Sequence, residues 1–241
     1  LDNDIIEPSS KIYDPGWFTL PNTKHQYHDW MWFVRKQGHG WVNLTQALTV
    51  SCDTYFYWLA NKMGISLMDH TLDMFGFGQP TGTEMPYEAK GVIPSPTWKL
   101  ANQQSPWYDG DTVITGIGQG SLLVTPLQLA SATATLAMKG KHKTPHLIKT
   151  INNSKHKSPQ ENGDIVLSNP NNWNVITNAL EKVVTDPQGT AEYFGHPNYT
   201  VAAKTGTAQV YGHHRDEEYS QQNRPWKLRN NHLFISYAPT D

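Results

Sequence analysis

The sequence predicts an α+β fold, and three observations carry that prediction. Apolar residues recur at helical spacing in several capped segments through the chain. Two β-rich runs joined by a long polar loop close it, which predicts antiparallel neighbours. With 37% hydrophobic positions in 241 residues, there is enough apolar material for one sizeable core. No internal repeat or composition break marks a boundary, so residues 1–241 are read as one domain.

Taken in order, residues 1–41 show no sustained period and are punctuated by Pro8, Pro15, Gly16, Pro21, Gly38 and Gly40. They are expected to form an ordered loop region. Asn43 is an N-cap for a helix through Leu44, Ala47 and Leu48 that ends near Val50 and Ser51. A second helix is expected to begin at Asp53, a good N-cap residue, and to run through Tyr55, Phe56, Leu59 and Met63 to a stop at Gly64. Ser51-Cys52-Asp53 thus falls in the turn between them. Ser66 caps a third helix reaching Phe75 before Gly76, and the Gly/Pro/Thr-rich stretch from there to about residue 111 reads as loop. Thr125 as N-cap and Pro126 at the first helical position open the clearest helix, with Leu127, Ala130, Ala134 and Met138 on one face and Gly140 after its end. Residues 150–164 are polar and turn-rich, a hairpin tip. Residues 172–185 form a helix with Trp173, Ile176, Leu180 and Val183 inward, and residues 199–210 and 232–238 are the strands.

Composition excludes several classes. Nineteen Lys+Arg against 21 Asp+Glu give a formal charge of −2, without the basic footprint of a nucleic-acid binder. The longest apolar stretch, around Tyr55 to Ala60, is far short of the roughly 18 residues a membrane span needs. One cysteine, Cys52, rules out an intrachain disulfide framework. The 11% aromatic share, with 16 Pro and 18 Gly, suggests ordered loops and grooves rather than a helical bundle. Leu1 opens a polar run with no signal-peptide pattern, so a longer protein with its targeting segment elsewhere is expected.

Lys204-Thr205-Gly206-Thr207 lies in a strand flanked by Ala202, Ala203 and Ala208, where a ligand could lie against the backbone. Alone, these residues are equally an ordinary strand with a glycine bulge. Their company decides: Ser51-Cys52-Asp53, then Gly116-Ile117-Gly118-Gln119-Gly120 leading into Thr125-Pro126, then Lys204-Thr205-Gly206 follow the order and approximate spacing of the penicillin-binding transpeptidase motifs. Tyr13-Asp14-Pro15-Gly16-Trp17, Asp29-Trp30, Gly38-His39-Gly40, Asp53-Thr54-Tyr55-Phe56-Tyr57, Pro106-Trp107-Tyr108 with Gly110-Asp111-Thr112, and Ala202-Ala203-Lys204 with Gly206-Thr207-Ala208-Gln209-Val210 extend the likeness over nearly the whole chain. The sequence resembles the class B penicillin-binding transpeptidases, in particular the penicillin-binding protein 2 branch of cell elongation.

That resemblance implies a fold with an antiparallel sheet between helical layers, and D,D-transpeptidation of peptidoglycan. A serine attacks the D-Ala-D-Ala carbonyl of a stem peptide, D-Ala leaves, and a neighbouring stem amine resolves the acyl-enzyme, which β-lactams trap. Ser51 and Asp53 match the group that passes a proton to the leaving amine. Lys204 matches the charge that meets a substrate carboxylate, Thr205 a hydroxyl donor, Gly206 the residue keeping the strand edge clear, and Thr207 a backbone N–H of the oxyanion hole. No convincing Ser-x-x-Lys is present: Ser154-Lys155-His156-Lys157 has the letters but sits in a polar, turn-rich stretch. The nucleophile is therefore expected upstream of Leu1, and a further strand and helix are expected after Asp241. The resemblance also implies a periplasmic domain anchored to the inner membrane by an upstream helix and working with a SEDS glycosyltransferase of the rod complex. A serine β-lactamase or β-lactam sensor shares the motif set, although the aromatic region 1–41 argues against both; a non-catalytic scaffold fragment is the third reading.

Asp14, Asp29, His39 and Cys52 form the other candidate constellation. No two have the close spacing of structural zinc sites, so by spacing alone Asp14 caps a turn, Asp29 caps a helix, His39 is solvated and Cys52 is core. The resemblance implies that all four hold a structural zinc. His213-His214 and the charged run after them read as a solvated loop, Trp30 and Trp32 as packing for the 1–41 region, and the Gly116–Gly120 run as close backbone packing at a cleft floor rather than a dinucleotide fingerprint.

Overall fold

The computed structural model describes residues 1–152, 163–195, 198–210 and 225–240, and the backbone of 154 and 155. The core begins where Asn43 caps α2, Leu44–Val50. The Asn43 side chain accepts from the Gln46 amide, and the Gln46 side chain accepts from the Asn43 amide. Ile6, Val42, Leu44, Ala47, Cys52 and Tyr55 bury together around this helix. Between α2 and α3, Asp53–Met74, the chain reverses at Ser51, which takes a left-handed conformation with φ 56°. The Cys52 amide closes the turn by donating back to the Ala47 carbonyl, and Cys52 rather than Asp53 occupies the cap position. Gly64, at φ 73° and ψ 162°, interrupts α3 and separates the two helices expected there.

Helix α7, Asn171–Thr185, is the central partition: it packs on α2 and on β7, Ala202–Ala208. Val183 and Val184 bury against Ala191, Val201 and Ala203 beneath that strand. β7 pairs antiparallel with β8, Asn231–Tyr237, in a register that sets Lys204 opposite Ile235 and Thr207 opposite His232. α6, Pro126–Ala137, packs on β8, and its Thr125 cap is closed by Gln128. Thus the sheet and its flanking helices follow the sequence reading. The hairpin expected near 150–164 is present as a two-residue pairing of Thr150–Ile151 with Ser154–Lys155; His156 and Lys157, like His213 and His214, lie outside the described residues.

Two expectations fail. Residues 1–41 are not loop throughout: Lys11–Asp14 (β1) pairs with Gly40–Asn43 (β4), Trp17–Thr19 (β2) pairs with Gln26–His28 (β3), and Trp30–Arg35 forms α1. These pieces are three to six residues long, so no local period announces them. The 76–111 stretch contains α4, Pro96–Gln103, with Ser95 accepting from the Trp98 amide, and the start of α5, Asp109–Thr115. Ser95-Pro96 is a start signal that the surrounding Gly and Pro obscure. α5 packs on α3. Among the described residues, no helix is long and apolar enough to cross a membrane.

Gly38 holds the first of these additions together. A Cβ there would stand 2.2 Å from the Asp14 carbonyl oxygen, 2.2 Å from the Gly16 nitrogen and 2.5 Å from the Pro15 carbonyl carbon, all backbone atoms. Only a bare backbone lets the 14–16 turn cross the 38–39 segment. Gly38→Ala is expected to cost about 2 kcal/mol or more, lowering the melting temperature by roughly 4–8 °C in a domain of this size. Gly163→Ala, where a Cβ meets open space, should be neutral in the same calorimetric comparison.

Candidate active site

The Ser51 turn and strand β7 meet in one place. Lys204 Nζ donates to Ser51 Oγ at 2.7 Å, joining positions 153 residues apart, and donates to its neighbour's carbonyl, Thr205 O, at 2.8 Å. An ammonium has three N–H groups, so one remains for a ligand. Burial pulls the Lys204 pKa down to about 8, against the charge of Asp53, which favours the ammonium. Because the ammonium supplies the proton in its bond to Ser51, the Ser51 hydroxyl keeps its own proton for another acceptor.

Asp53 flanks this contact. Its carboxylate accepts from the Trp30 amide at 3.1 Å, and burial together with the Asp29 charge pushes its pKa up to about 7. The Thr205 hydroxyl donates to Thr190 Oγ1 at 2.8 Å, while the Thr190 amide donates to Thr49 O, tying β7 to α2. Gly206 faces space: an added Cβ would meet only Leu233, at 3.8 Å. At Thr207 the carbonyl accepts from Gln119 Nε2, and two residues on, the Gln209 amide donates to Gln119 Oε1 at 3.1 Å. A strand residue presents its N–H and C=O to the same edge. Thr207 therefore turns its N–H, like its carbonyl, away from β8. The site residues Ser51, Asp53, Lys204, Thr205, Gly206 and Thr207 thus share one region, with the Thr207 amide on the open strand edge.

The sequence reading gave Gln119 no role of its own and did not name Thr190. Gln119 had a signal, its place inside the Gly116–Gly120 run. Gly116 does pack tightly, since its Cβ would fall 2.3 Å from Ala60 Cβ, and the run carries Gln119 to the strand edge. Thr190 had none.

Beneath the Ser51 turn lies a second cluster. Asp14 and Asp29 are 1% and 0% exposed, His39 is half-buried and Cys52 is fully buried. Asp14 Oδ1 accepts from the Gly16 amide at 2.7 Å. Its Oδ2 accepts from the His39 amide at 2.8 Å, and lies 2.8 Å from His39 Nδ1 and 3.4 Å from Cys52 Sγ. Asp29 caps α1 through the Met31 amide and accepts from the Thr54 amide, with His39 Nδ1 at 3.5 Å. Burial pushes Asp14 upward, but the His39 imidazole and amide and the Gly16 amide outweigh it and hold the carboxyl well below the usual range. Burial raises Asp29, partly offset by the Met31 amide and His39. His39 is itself raised: the two carboxylates outweigh its desolvation. The Cys52 thiol is pushed far up by burial and then by Asp29 and Asp14. One ligand atom from each of these four residues lies within 4.8 Å of the others. Four ligands around a tetrahedral zinc at about 2.0–2.3 Å stand roughly 3.3–3.8 Å apart, so two carboxylates, an imidazole and a thiol are the donor types such an ion takes, and the set would need to close by up to about 1 Å to hold it. It would also favour the thiolate that burial now opposes.

Comparison with known proteins accords with this geometry. The family model described as the penicillin binding protein transpeptidase domain matches residues 1–241. The chain belongs to the penicillin-binding protein transpeptidase domain family. Peptidoglycan D,D-transpeptidase MrdA of Acinetobacter baumannii is 38% identical over 244 residues, covering 100% of this chain and 35% of that protein. The crystal structure of Pseudomonas aeruginosa PBP2 in complex with WCK 5153 superposes with TM-score 0.87 at 40% identity, over 99% of this chain and 50% of the other. PBP2 of Helicobacter pylori, in a complex with MreC, gives 0.81 at 33% identity, over 98% and 40%. The chain spans little more than a third of the length of the curated MrdA relatives it matches and half or less of these structures. Its fold, with a mixed set of helices around an antiparallel strand pair, is the penicillin-binding transpeptidase fold.

The site's charge state can be read directly. In protein carrying 13C-labelled lysine, one lysine signal should titrate near pH 8 rather than near the ordinary value of about 10.5, and that signal should vanish in Lys204→Met. A lysine set titrating uniformly at the ordinary value would remove the buried ammonium from this account.

Proposed function

We propose that this domain supplies the proton-relay and carboxylate-binding half of a peptidoglycan D,D-transpeptidase site that β-lactams inhibit. The observation that carries the reading is the Lys204 Nζ to Ser51 Oγ bond, which unites two motifs far apart in sequence. In this reading the acylating serine and its lysine lie in a segment of the full-length protein outside residues 1–241. The stem-peptide or β-lactam carboxylate takes the free N–H of Lys204. Ser51, held as an acceptor by that ammonium, passes its own proton to the leaving amine and takes in its place the proton that the other lysine has removed from the acylating serine, and Asp53 supports the local field. The Thr207 amide, on the open strand edge, polarises the scissile carbonyl. Thr205 shapes the carboxylate seat through its bond to Thr190.

The partner and location proposals follow the same resemblance: a periplasmic domain, anchored to the inner membrane by an upstream helix and coupled to a SEDS glycosyltransferase of the rod complex. The Helicobacter pylori relative, described in complex with MreC, supports an assembly of this kind. Asp14, Asp29, His39 and Cys52 are proposed to hold zinc, which would neutralise two buried carboxylates and a thiolate. With four protein ligands the ion would be structural, fixing the 1–41 region to the Ser51 turn.

Full-length protein should be acylated by a fluorescent penicillin at a serine outside residues 1–241, and Ser51→Ala should slow acylation by about 10²–10⁴-fold, the range for removal of a general acid or base. A label mapping to Ser51 or Ser154, or an unaffected Ser51→Ala variant, overturns the assignment. Elemental analysis should find one zinc per chain. Chelator or Cys52→Ala should remove it and lower the melting temperature by several degrees; a chelator-indifferent, zinc-free protein would leave Cys52 as core packing.

A further inference from the structure

We infer that Trp30 is a positioning residue for the Ser51 hydroxyl, an inference that rests on the transpeptidase reading above. Trp30 is 37% exposed, whereas Trp32, one turn-half away, packs edge-on against Trp17 and stacks on His28. Burial is therefore a weak account of Trp30. What its side chain does instead is donate from indole Nε1 to two carbonyl oxygens at once, Val50 O at 3.1 Å and Ser51 O at 3.0 Å. These are the carbonyls of the two peptide groups on either side of the Ser51 Cα. Holding both peptide planes from one donor fixes the φ and ψ of Ser51, and with them the direction in which its Cβ and hydroxyl leave the backbone.

The fixing has work to do. Ser51 sits at φ 56°, a left-handed conformation that a residue with a side chain adopts at some cost. The carbonyls at the end of α2 have no continuing helix to accept for. If they relax, Ser51 Oγ moves off the 2.7 Å contact with Lys204. Trp30 is in turn anchored by its own amide, which donates to Asp53 Oδ2, and by following Asp29, whose carboxylate accepts from the Thr54 amide at the start of α3. The indole thus spans from α1 to the Ser51 turn and acts on the Ser51 hydroxyl through the two backbone carbonyls it holds, which makes Trp30 a positioning residue.

The test uses full-length protein and a fluorescent penicillin, with the acylation rate at saturation separated from the affinity of the non-covalent complex. Trp30→Phe, which keeps a ring and removes the N–H, should lower the saturated rate about tenfold, the loss of one well-placed hydrogen bond, with affinity unchanged within about twofold. Introduced into Ser51→Ala it should cost nothing further, because the group it positions is gone. A second variant carrying 3-benzothienylalanine at position 30 preserves the bicycle with sulfur in place of the N–H, and should reproduce the loss without a change in melting temperature. The inference is overturned by an unchanged rate in either variant, by the same additional loss in the Ser51→Ala background, or by a loss of folding in both variants. If the unsubstituted protein is not acylated at all, the transpeptidase reading itself falls and this role falls with it; if it is acylated and the variants match it, only the role of Trp30 falls.

Discussion

The burial of two carboxylates, Asp14 and Asp29, is the constraint around which the site is arranged. Neither can be left in an apolar interior without donors or opposing charge, since an uncompensated buried carboxylate would be strongly disfavoured. Their partners come from separate parts of the chain: amides of Gly16, His39, Met31 and Thr54, the His39 imidazole, and the Cys52 thiol. Satisfying the pair therefore draws together β1, α1, β4 and the α2 to α3 turn. The glycine crossing at Gly38 is a consequence, because the Asp14 carboxylate reaches the His39 amide only if the two backbones touch. Cys52 lies between Ser51 and Asp53, so whatever satisfies the carboxylates also fixes the turn that carries the site.

The other coordinate of the site comes from α7. It separates α2 from β7, and its Val183 and Val184 fill the space beneath the strand. Ser51 ends the first of these elements and Lys204 stands on the second, so the α7 packing sets the gap that the Lys204 side chain closes. Closing it buries an ammonium, which is why its pKa falls, and why Asp53 close by matters as the opposing charge. The pair resists conversion of either group: Asp53 ionised favours Lys204 charged, and Lys204 charged favours Asp53 ionised, while burial pushes both the other way.

What was legible in the sequence was what local physics encodes. Asn43, and Thr125 with Pro126, are start signals complete within one or two residues, and α2 and α6 begin where they say, with Gln46 and Gln128 closing the caps in the structure. Lys204 and Ser51 were legible because their motifs stand in the order and spacing of the family the sequence resembles, and the left-handed turn at Ser51 lies where that reading put a turn. The pairs β1 with β4 and β2 with β3 were not legible, since three or four residues form no period and the partner is chosen by tertiary contact. α4 was hidden by composition despite its Ser95 and Pro96. The bonds of Trp30 and Gln119 were invisible for another reason: each side chain recognises backbone, which every sequence offers equally, so nothing in the partner's residue types reports the contact.

Gln119 bears on what the open strand edge can distinguish. Its carboxamide is chemically a peptide group, and with one donor and one acceptor it makes the two bonds to Thr207 and Gln209 that an added strand would make. A peptide arriving on that edge exchanges hydrogen bonds with Gln119 instead of adding to them, and an exchange of this kind contributes little net free energy. Backbone pairing then sets the direction and register of a ligand without selecting it. Selection falls to the side-chain contact that has no resident substitute, the third N–H of Lys204, which is charged, partly desolvated and matched by a carboxylate. Under the function proposed, this division suits a site that must read the carboxyl end of a short peptide while tolerating the backbone that leads to it.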